Sequence, residues 1–394
     1  MASITPFILQ DKAPGELQND VVELLRLDAA LNYSIPAPLR APMTHLLRIV
    51  NSYYSNRIEG NPTLPSDVLH AQEDRKESSD SADLLEMKHH IEVQTSLANR
   101  TIASDEVCSS EFLKHIHREF YRQLTDEHLI IRHSDTGEVV RLMPGEFRTR
   151  TVKVGKHVPP TPENIERYLR WFSNAYNPKK IYGLSNVFAA AGSHHRLMWI
   201  HPFLDGNGRV GRLFTDNYMR CAGLSGYGLW SMSRGFGRDI DAYYGALAKA
   251  DSPRKGDLDG RGMLSDEGLL EFTKYFIQVA LDQVRYFTGL LEPQKLNDRI
   301  DIYFEMRSRG AFVSSSGMPL PSLHEGARDI YRKLLYNGPQ QRIDLQNMLK
   351  VSEKTFKTIL SQMKNDKLVF TPLKKPISLA LSPNSIELLF PHLW

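Results

Sequence analysis

Residues 201–212 read HPFLDGNGRVGR. Asp205 follows His201 by four positions, then come Gly206-Asn207-Gly208, Arg209 and Arg212, and a helical pattern continues to about Cys221. Glycines ahead of a helix let backbone N–H groups converge on an anion, and the helix N-terminus adds partial positive charge. Arg209 and Arg212 lie three apart, on one side of the first turn, where both can grip phosphate oxygens bidentately. An aspartate beside such a cradle is a natural Mg²⁺ ligand. A histidine at its edge is a common general base. The stretch therefore outlines a nucleotide phosphate site equipped with a base and a metal ligand.

Other nucleotide motifs are missing. There is no GxxxxGK[ST] and no protein-kinase motif set. A zinc site from His194, His195 and His201 lacks HExxH or a comparable spacing.

At every defined position HPFLDGNGRVGR resembles the signature HPFx[D/E]GNGRxxR of the Fic (filamentation induced by cAMP) family. PGEFRTRTVKVGKHVPP (144–160) looks like the family's flap, and WSMSRGFGRDIDAYYGAL (230–247) like its nucleotide-side helix region. The resemblance spans residues 40–292 approximately. It implies a mainly α fold, a Fic-type helical core with a β-hairpin flap. It also implies a protein adenylyltransferase that moves AMP from ATP to a Ser, Thr or Tyr hydroxyl of a target protein and releases pyrophosphate.

By the same resemblance His201 is the general base, and Asp205 holds Mg²⁺ between the α- and β-phosphates. Gly206, Asn207 and Gly208 form the anion hole, and Arg209 and Arg212 hold the outer phosphates. Phe203 anchors the loop in the core. Val152, Lys153, Val154 and Gly155 of the flap, with Tyr243 and Tyr244 opposite, border the base; Asp251 stands where relatives often carry Asn. The edge of an exposed hairpin suits pairing with an extended target segment. Transfer of UMP, phosphocholine or phosphate, or removal of AMP, is the alternative chemistry of the same site.

A second motif lies upstream. Leu46, Val50, Tyr53 and Tyr54 fall at helical spacing, and Gly60 and Pro62 end that helix. Glu59 sits at its negative end, where a carboxylate costs about 0.3–1 kcal/mol unless a cation faces it. SNRIEG (Ser55–Gly60) resembles the Fic inhibitory motif [S/T]xxxE[G/N]. The implied arrangement pairs Glu59 with Arg212, with Ser55 and Gly60 completing the motif. It puts the chain in the class with an N-terminal inhibitory helix, at about 42–59.

The 394 residues, 41% hydrophobic and 24% charged, suit a large domain plus a smaller one. There is no apolar run of membrane-spanning length, and MASITPFILQDKAPGE lacks signal-peptide features. Cys108 and Cys221 form no CxxC, so a cytoplasmic location without membrane partners is expected. Expected domains are an N-terminal helical region (1–105), a catalytic core (106–300), a linker (301–324) and a C-terminal domain (325–394). Residues 1–40, with Pro14, Pro36 and Pro38, read as a short helix between loops. Residues 72–82 read as a polar loop or exposed helix start, and 137–160 as a β-hairpin.

Residues 325–394 carry 11 Lys/Arg against 6 Asp/Glu, a balance of +5 that leaves about −2 for the rest. Helices at 325–336, 342–349 and 352–366 followed by an extended pair (367–382) outline a winged helix-turn-helix. DNA or a protein is its expected partner, and a regulator acting through it is the second functional reading. Only Lys354, Lys357 and Lys364 face outward on the third helix, a poor set for reading bases. A homodimer is compatible with this reading.

Overall fold

The computed structural model describes residues 4–71, 81–122, 124, 129–132, 137, 139–314, 317–373 and 375–394. Most of the polar segment at 72–82 lies outside the described residues. Helices dominate: α1 (Gly15–Ser34), α2 (Ala37–Ile58), α3 (Pro65–Ala71), α4 (Ala82–Asn99) and α5 (Ser110–Tyr121) come first. A short antiparallel pair follows, β1 (Ile130–Arg132) with β2 (Val139–Arg141) in the register Ile131↔Val140. Next are α6 (Pro162–Ala175), α7 (Ser185–Ile200), α8 (Asn207–Cys221), α9 (Met232–Arg238), α10 (Ile240–Ala250) and α11 (Asp266–Leu290). The chain ends with α12 (Pro293–Ser308), α13 (Gly326–Asn337), α14 (Arg342–Leu349), α15 (Glu353–Asn365), β3 (Val369–Phe370), β4 (Ser378–Leu379) and α16 (Pro383–Leu389).

The N-terminal reading is corrected. A 20-residue helix, α1, occupies half of the region (1–40) read as a short helix between loops, and α2 begins at Ala37. Pro38 falls in the first turn of α2, where its missing N–H is not needed. The chain forms two compact units: residues 1–29 with 51–284, and residues 30–50 with 285–394. These limits differ from the domain boundaries expected from sequence, because α1, α2 and α11 each continue from one unit into the other.

In the first unit the core helix is α7, in which every residue from Val187 to Leu197 is buried. Its run of small side chains lets neighbours come close. A Cβ on Gly192 would lie 2.5 Å from the Pro6 carbonyl oxygen, and one on Gly211 of α8 would lie 2.7 Å from Met198 Sδ. Leucine-sized residues would push the N-terminal segment off α7 at Gly192 and part α7 from α8 at Gly211, costing about 1–3 kcal/mol each. α5 packs on α8 through a buried face of Phe112, Leu113, Ile116, His117, Phe120 and Tyr121.

In the second unit α13, α14 and α15 pack together and the β3–β4 pair follows. Ser352 caps α15, accepting a hydrogen bond from the Thr355 N–H at 3.1 Å, and Phe356, Ile359, Leu360 and Met363 are its buried face. Residues 301–324 are not a free linker. Arg307 on α12 is fully buried, pairs with Asp366 and donates to the Pro321 carbonyl at 2.8 Å, while Phe312 and Leu323 are buried. On the outer face of α15, Lys357 pairs with Glu353 at 2.6 Å.

Candidate active site

The site is assembled where α7 ends and α8 begins. His201 is the residue after α7 and adopts the left-handed conformation (φ 49°, ψ 62°), which turns the chain out of the helix. Such a φ is costly for a non-glycine residue and persists only where the surroundings enforce it. Arg148 does so: its Nε donates to the His201 carbonyl at 2.8 Å, and its guanidinium also reaches the carbonyls of Arg150 (2.9 Å) and Pro160 (2.5 Å). The Arg148 N–H donates to the Pro202 carbonyl at 2.9 Å. One buried arginine thus ties the 148–160 loop to the turn at His201.

The geometry of the histidine ring leaves it able to accept a proton. Its Nδ1 is 3.3 Å from the Met198 carbonyl, which can only accept, so Nδ1 carries the hydrogen and Nε2 offers the lone pair. Burial, reinforced by Arg148 and His157, lowers its pKa to about 4, against weaker opposing contributions from the Met198 carbonyl and Glu59. At neutral pH the ring is therefore uncharged.

The loop between the two helices is stapled from inside. The Asn207 Oδ1 accepts from the Phe203 N–H at 2.9 Å and its Nδ2 donates to the Phe203 carbonyl at 2.8 Å. Phe203 is fully buried and stacks on His117 with ring centroids 4.1 Å apart. Phe203 is thus the anchor expected of it, and the Asn207 side chain is a staple of the loop. With that side chain spent on the loop, Asn207 can serve an anion only through its backbone. Gly206 has φ +75°, and a Cβ there would sit 2.6 Å from Tyr121 Oη, so only glycine fits.

Asp205 is held by Tyr121, whose hydroxyl donates to Oδ2 at 2.6 Å, and by Arg209 Nη2 at 3.2 Å. Burial alone would raise the pKa of this carboxyl; Arg209, the Tyr121 hydroxyl and the Gly206 N–H outweigh it and bring it below the usual value. Its side chain remains half exposed (49%). Arg209 is nearly buried, lies over the Phe120 ring at 4.7 Å, and pairs with Glu86 of α4 at 2.9 Å.

Arg212 faces the end of α2. It donates from Nε to Ser55 Oγ (2.9 Å), and from Nη2 to the Ser55 carbonyl (2.8 Å) and to Glu59 Oε1 (2.6 Å). The guanidinium is the cation that the helix terminus and Glu59 require. Gly60, at φ +90°, turns the chain away after Glu59. A Cβ on Gly208 would lie 2.1 Å from Glu59 Oε1, so the carboxylate rests directly on the first turn of α8.

The flap departs from the expected hairpin. Val154 and His157 exchange two backbone hydrogen bonds (2.9 and 3.0 Å) around Gly155 at φ +59°, a single tight turn. The extended pair lies earlier, at β1 and β2. Thr149, Thr151 and Val152 have β-branched side chains but pair with no strand among the described residues, and the backbone beside them is committed to Arg148 and Pro202. Lys153, Val154 and Gly155 are exposed.

Of the tyrosine pair, Tyr243 is buried, stacks on Phe236 at 4.4 Å and shares its hydroxyl with His194 Nε2 at 2.9 Å. It supports the site from the core side. Tyr244 is half exposed and donates to the Ile58 carbonyl at 3.2 Å, beside Glu59. Asp251 pairs with His195 at 3.1 Å. His194 and His195 are satisfied core residues, and no group of three His, Cys, Asp or Glu able to hold a metal occurs among the described residues.

Residues 107–219, which carry His201, Arg209 and Arg212, match the Fic/DOC family. They form a Fic domain. The Fic domain of this chain is similar to curated proteins called protein adenylyltransferase Fic. That of Nematostella vectensis is 30% identical over 195 residues, 49% of this chain and 42% of that protein. That of Drosophila erecta is 40% identical over 87 residues, 22% of this chain and 18% of that one. The chain thus spans less than half the length of these relatives. Among solved structures, a Fic family protein from Desulfovibrio desulfuricans aligns with TM-score 0.50 and 16% identity, over 92% of this chain and 96% of that one. A Fic domain containing signaling protein from Bacteroides thetaiotaomicron gives TM-score 0.51 and 19% identity, over 69% and 98%. At these identities the likeness is one of fold.

Glu86, Tyr121 and Arg148 were not singled out from the sequence. Arg148 lies inside the quoted flap stretch. Glu86 and Tyr121 sit in helices with no motif around them, and only the packing of α4 and α5 against the Fic domain's signature brings them in.

Proposed function

We propose that this protein is a protein adenylyltransferase, moving AMP from ATP to a hydroxyl of a target protein, and that Glu59 restrains it. The observation that carries the reading is the pairing of a neutral His201 with a glycine-bounded helix start bearing Arg209 and Arg212. His201 Nε2 takes the proton of the target Ser, Thr or Tyr hydroxyl. The oxygen forms a bond to the α-phosphorus, and the bond from that phosphorus to the bridging oxygen of pyrophosphate breaks. Protein groups then act by position and charge. The first turn of α8 and the two arginines receive the phosphates, and the 148–160 loop receives the target segment. Names of the similar curated proteins support the same chemistry.

Asp205 fits a Mg²⁺ ion: it is charged and half exposed, and a single carboxylate with phosphate oxygens is a usual setting for that ion. When bound, Mg²⁺ would offset phosphate charge as the pyrophosphate leaves.

Glu59 occupies the place a phosphate needs. Its carboxylate lies over Gly208 and neutralises Arg212, so an incoming γ-phosphate meets a negative charge. Incubation with Mg²⁺ and each α-labelled nucleoside triphosphate tests the activity. Label from ATP on protein, lost in His201→Ala, is the expected result; label from another nucleotide only, or label that survives His201→Ala, overturns it.

A further inference from the structure

Resting on the adenylyltransferase reading, we infer that Glu86 is a second restraint on the phosphate cradle, acting on Arg209 as Glu59 acts on Arg212. Arg209 is withdrawn from the surface. It is 7% exposed, lies on the Phe120 ring, and spends Nη1 on Glu86 at 2.9 Å and Nη2 on Tyr121 and Asp205. Its Nε is buried with no acceptor among the described residues. A phosphate oxygen that approaches this guanidinium has to compete with Glu86, Tyr121 and Asp205 for its donors and its charge.

Charge points the same way. Two arginines of the cradle face three carboxylates in direct pairs: Arg212 with Glu59, and Arg209 with Glu86 and Asp205. The cradle is therefore net −1 as it stands. Loss of Glu59 alone brings it to zero; only loss of both restraints makes it positive toward a polyphosphate.

The two restraints are joined. Asn61, two residues after Glu59, donates from Nδ2 to the Asp83 carbonyl (2.9 Å) and to Glu86 Oε2 (3.4 Å), while its Oδ1 accepts from the Thr63 N–H (3.0 Å). The loop leaving the Glu59 helix is thus fastened to the turn of α4 that carries Glu86. A movement that lifts Glu59 off Gly208 pulls on the contact that holds Arg209.

Glu86→Gln is the discriminating change, because it keeps the side-chain shape and an acceptor for Arg209 Nη1 while removing the charge. Binding of ATP with Mg²⁺, and of adenosine, is measured by calorimetry in four proteins: the native chain, Glu59→Gly, Glu86→Gln and the double variant. In the Glu59→Gly background Glu86→Gln tightens ATP about three- to tenfold, the effect of one nearby charge at partial screening. Adenosine, which has no phosphate, is unchanged. On the native background Glu86→Gln changes ATP binding little, because Glu59 still covers Gly208. Unchanged or weaker ATP binding in the double variant than in Glu59→Gly overturns the inference, as does an equal shift for adenosine. If Glu59→Gly itself binds ATP no better than the native chain, it is the Glu59 brake that fails, and the comparison of Glu86→Gln with the native chain then decides the Glu86 effect alone: no tightening there overturns it.

Discussion

Glu59 Oε1 lies 2.6 Å from Arg212 Nη2 and within van der Waals reach of Gly208, so one carboxylate covers both the second arginine and the first turn of the signature helix. A third of the Glu59 side chain is exposed, whereas Arg212 is almost fully buried. Removing Glu59 therefore leaves a buried cation without its paired carboxylate, still held by Ser55 and near the Tyr243 hydroxyl. Glu59→Gly is expected to lower stability by about 1–3 kcal/mol, read as a fall in urea midpoint at unchanged slope. An unchanged midpoint would show that the pair contributes nothing to the fold.

Asn207 supplies a second prediction. Asn207→Ala leaves both the N–H and the carbonyl of buried Phe203 without partners, at about 1–3 kcal/mol for each group. The loop carrying His201 and Asp205 then loses its internal staple. Denaturation should show the stability loss, and transfer activity should fall at least tenfold. Asn207→Asp keeps the acceptor for the Phe203 N–H but not the donor, so it should recover part of the stability.

Arg148 acts on His201 through the backbone. Arg148→Ala removes one donor from each of the carbonyls of His201, Arg150 and Pro160. Arg148→Lys cannot restore all three, because an ammonium lacks the planar fork of donors. Both variants should lower kcat more than KM for ATP, since the nucleotide cradle itself is untouched. A drop confined to the ATP KM would contradict this assignment.

The pH dependence follows from buried neutral histidines. His201 and His117 are lowered to about 4 and His90 and His194 to about 3, in each case chiefly by burial. With the unfolded value near 6.5, the unfolded chain binds more protons between pH 6.5 and those folded values. Stability contributed by these rings is complete above pH 6.5 and is lost as pH falls, by up to about 1.4 kcal/mol per pH unit for each ring. Asp28 and Asp216, raised by burial against their hydrogen bonds, oppose part of this slope because they bind protons more readily when folded. The thermal midpoint should therefore fall between pH 7 and pH 5. The acid limb of kcat/KM for the Glu59→Gly protein should lie near 4, well below the 6.5 of a free imidazole.

The contiguous motifs were more legible in the sequence than the packing around them. HPFLDGNGRVGR and SNRIEG are contiguous, so the residue types and their spacing already implied a cradle and its covering acid, and Arg212 does meet Glu59. Helices with a clear apolar face, such as α5, α8 and α15, were likewise legible within a few residues. Long-range partners were not. Glu86 and Tyr121 reach the site only because α4 and α5 pack beside α8, and a charged residue in a helix gives no local sign of that. The flap misled for another reason: β-branched residues favour extended backbone, but without a facing strand they do not form a sheet. Pro38 misled because a proline in the first turn of a helix looks, in sequence, like a break.

The central claim is that Glu59 holds back AMP transfer by a competent site. The most direct measurement is transfer of α-labelled ATP to protein by the native chain, Glu59→Gly, and Glu59→Gly with His201→Ala, at equal concentration with Mg²⁺. The account predicts faint labelling by the first, at least tenfold more by the second and none by the third. Equal labelling by the native chain and Glu59→Gly would contradict it.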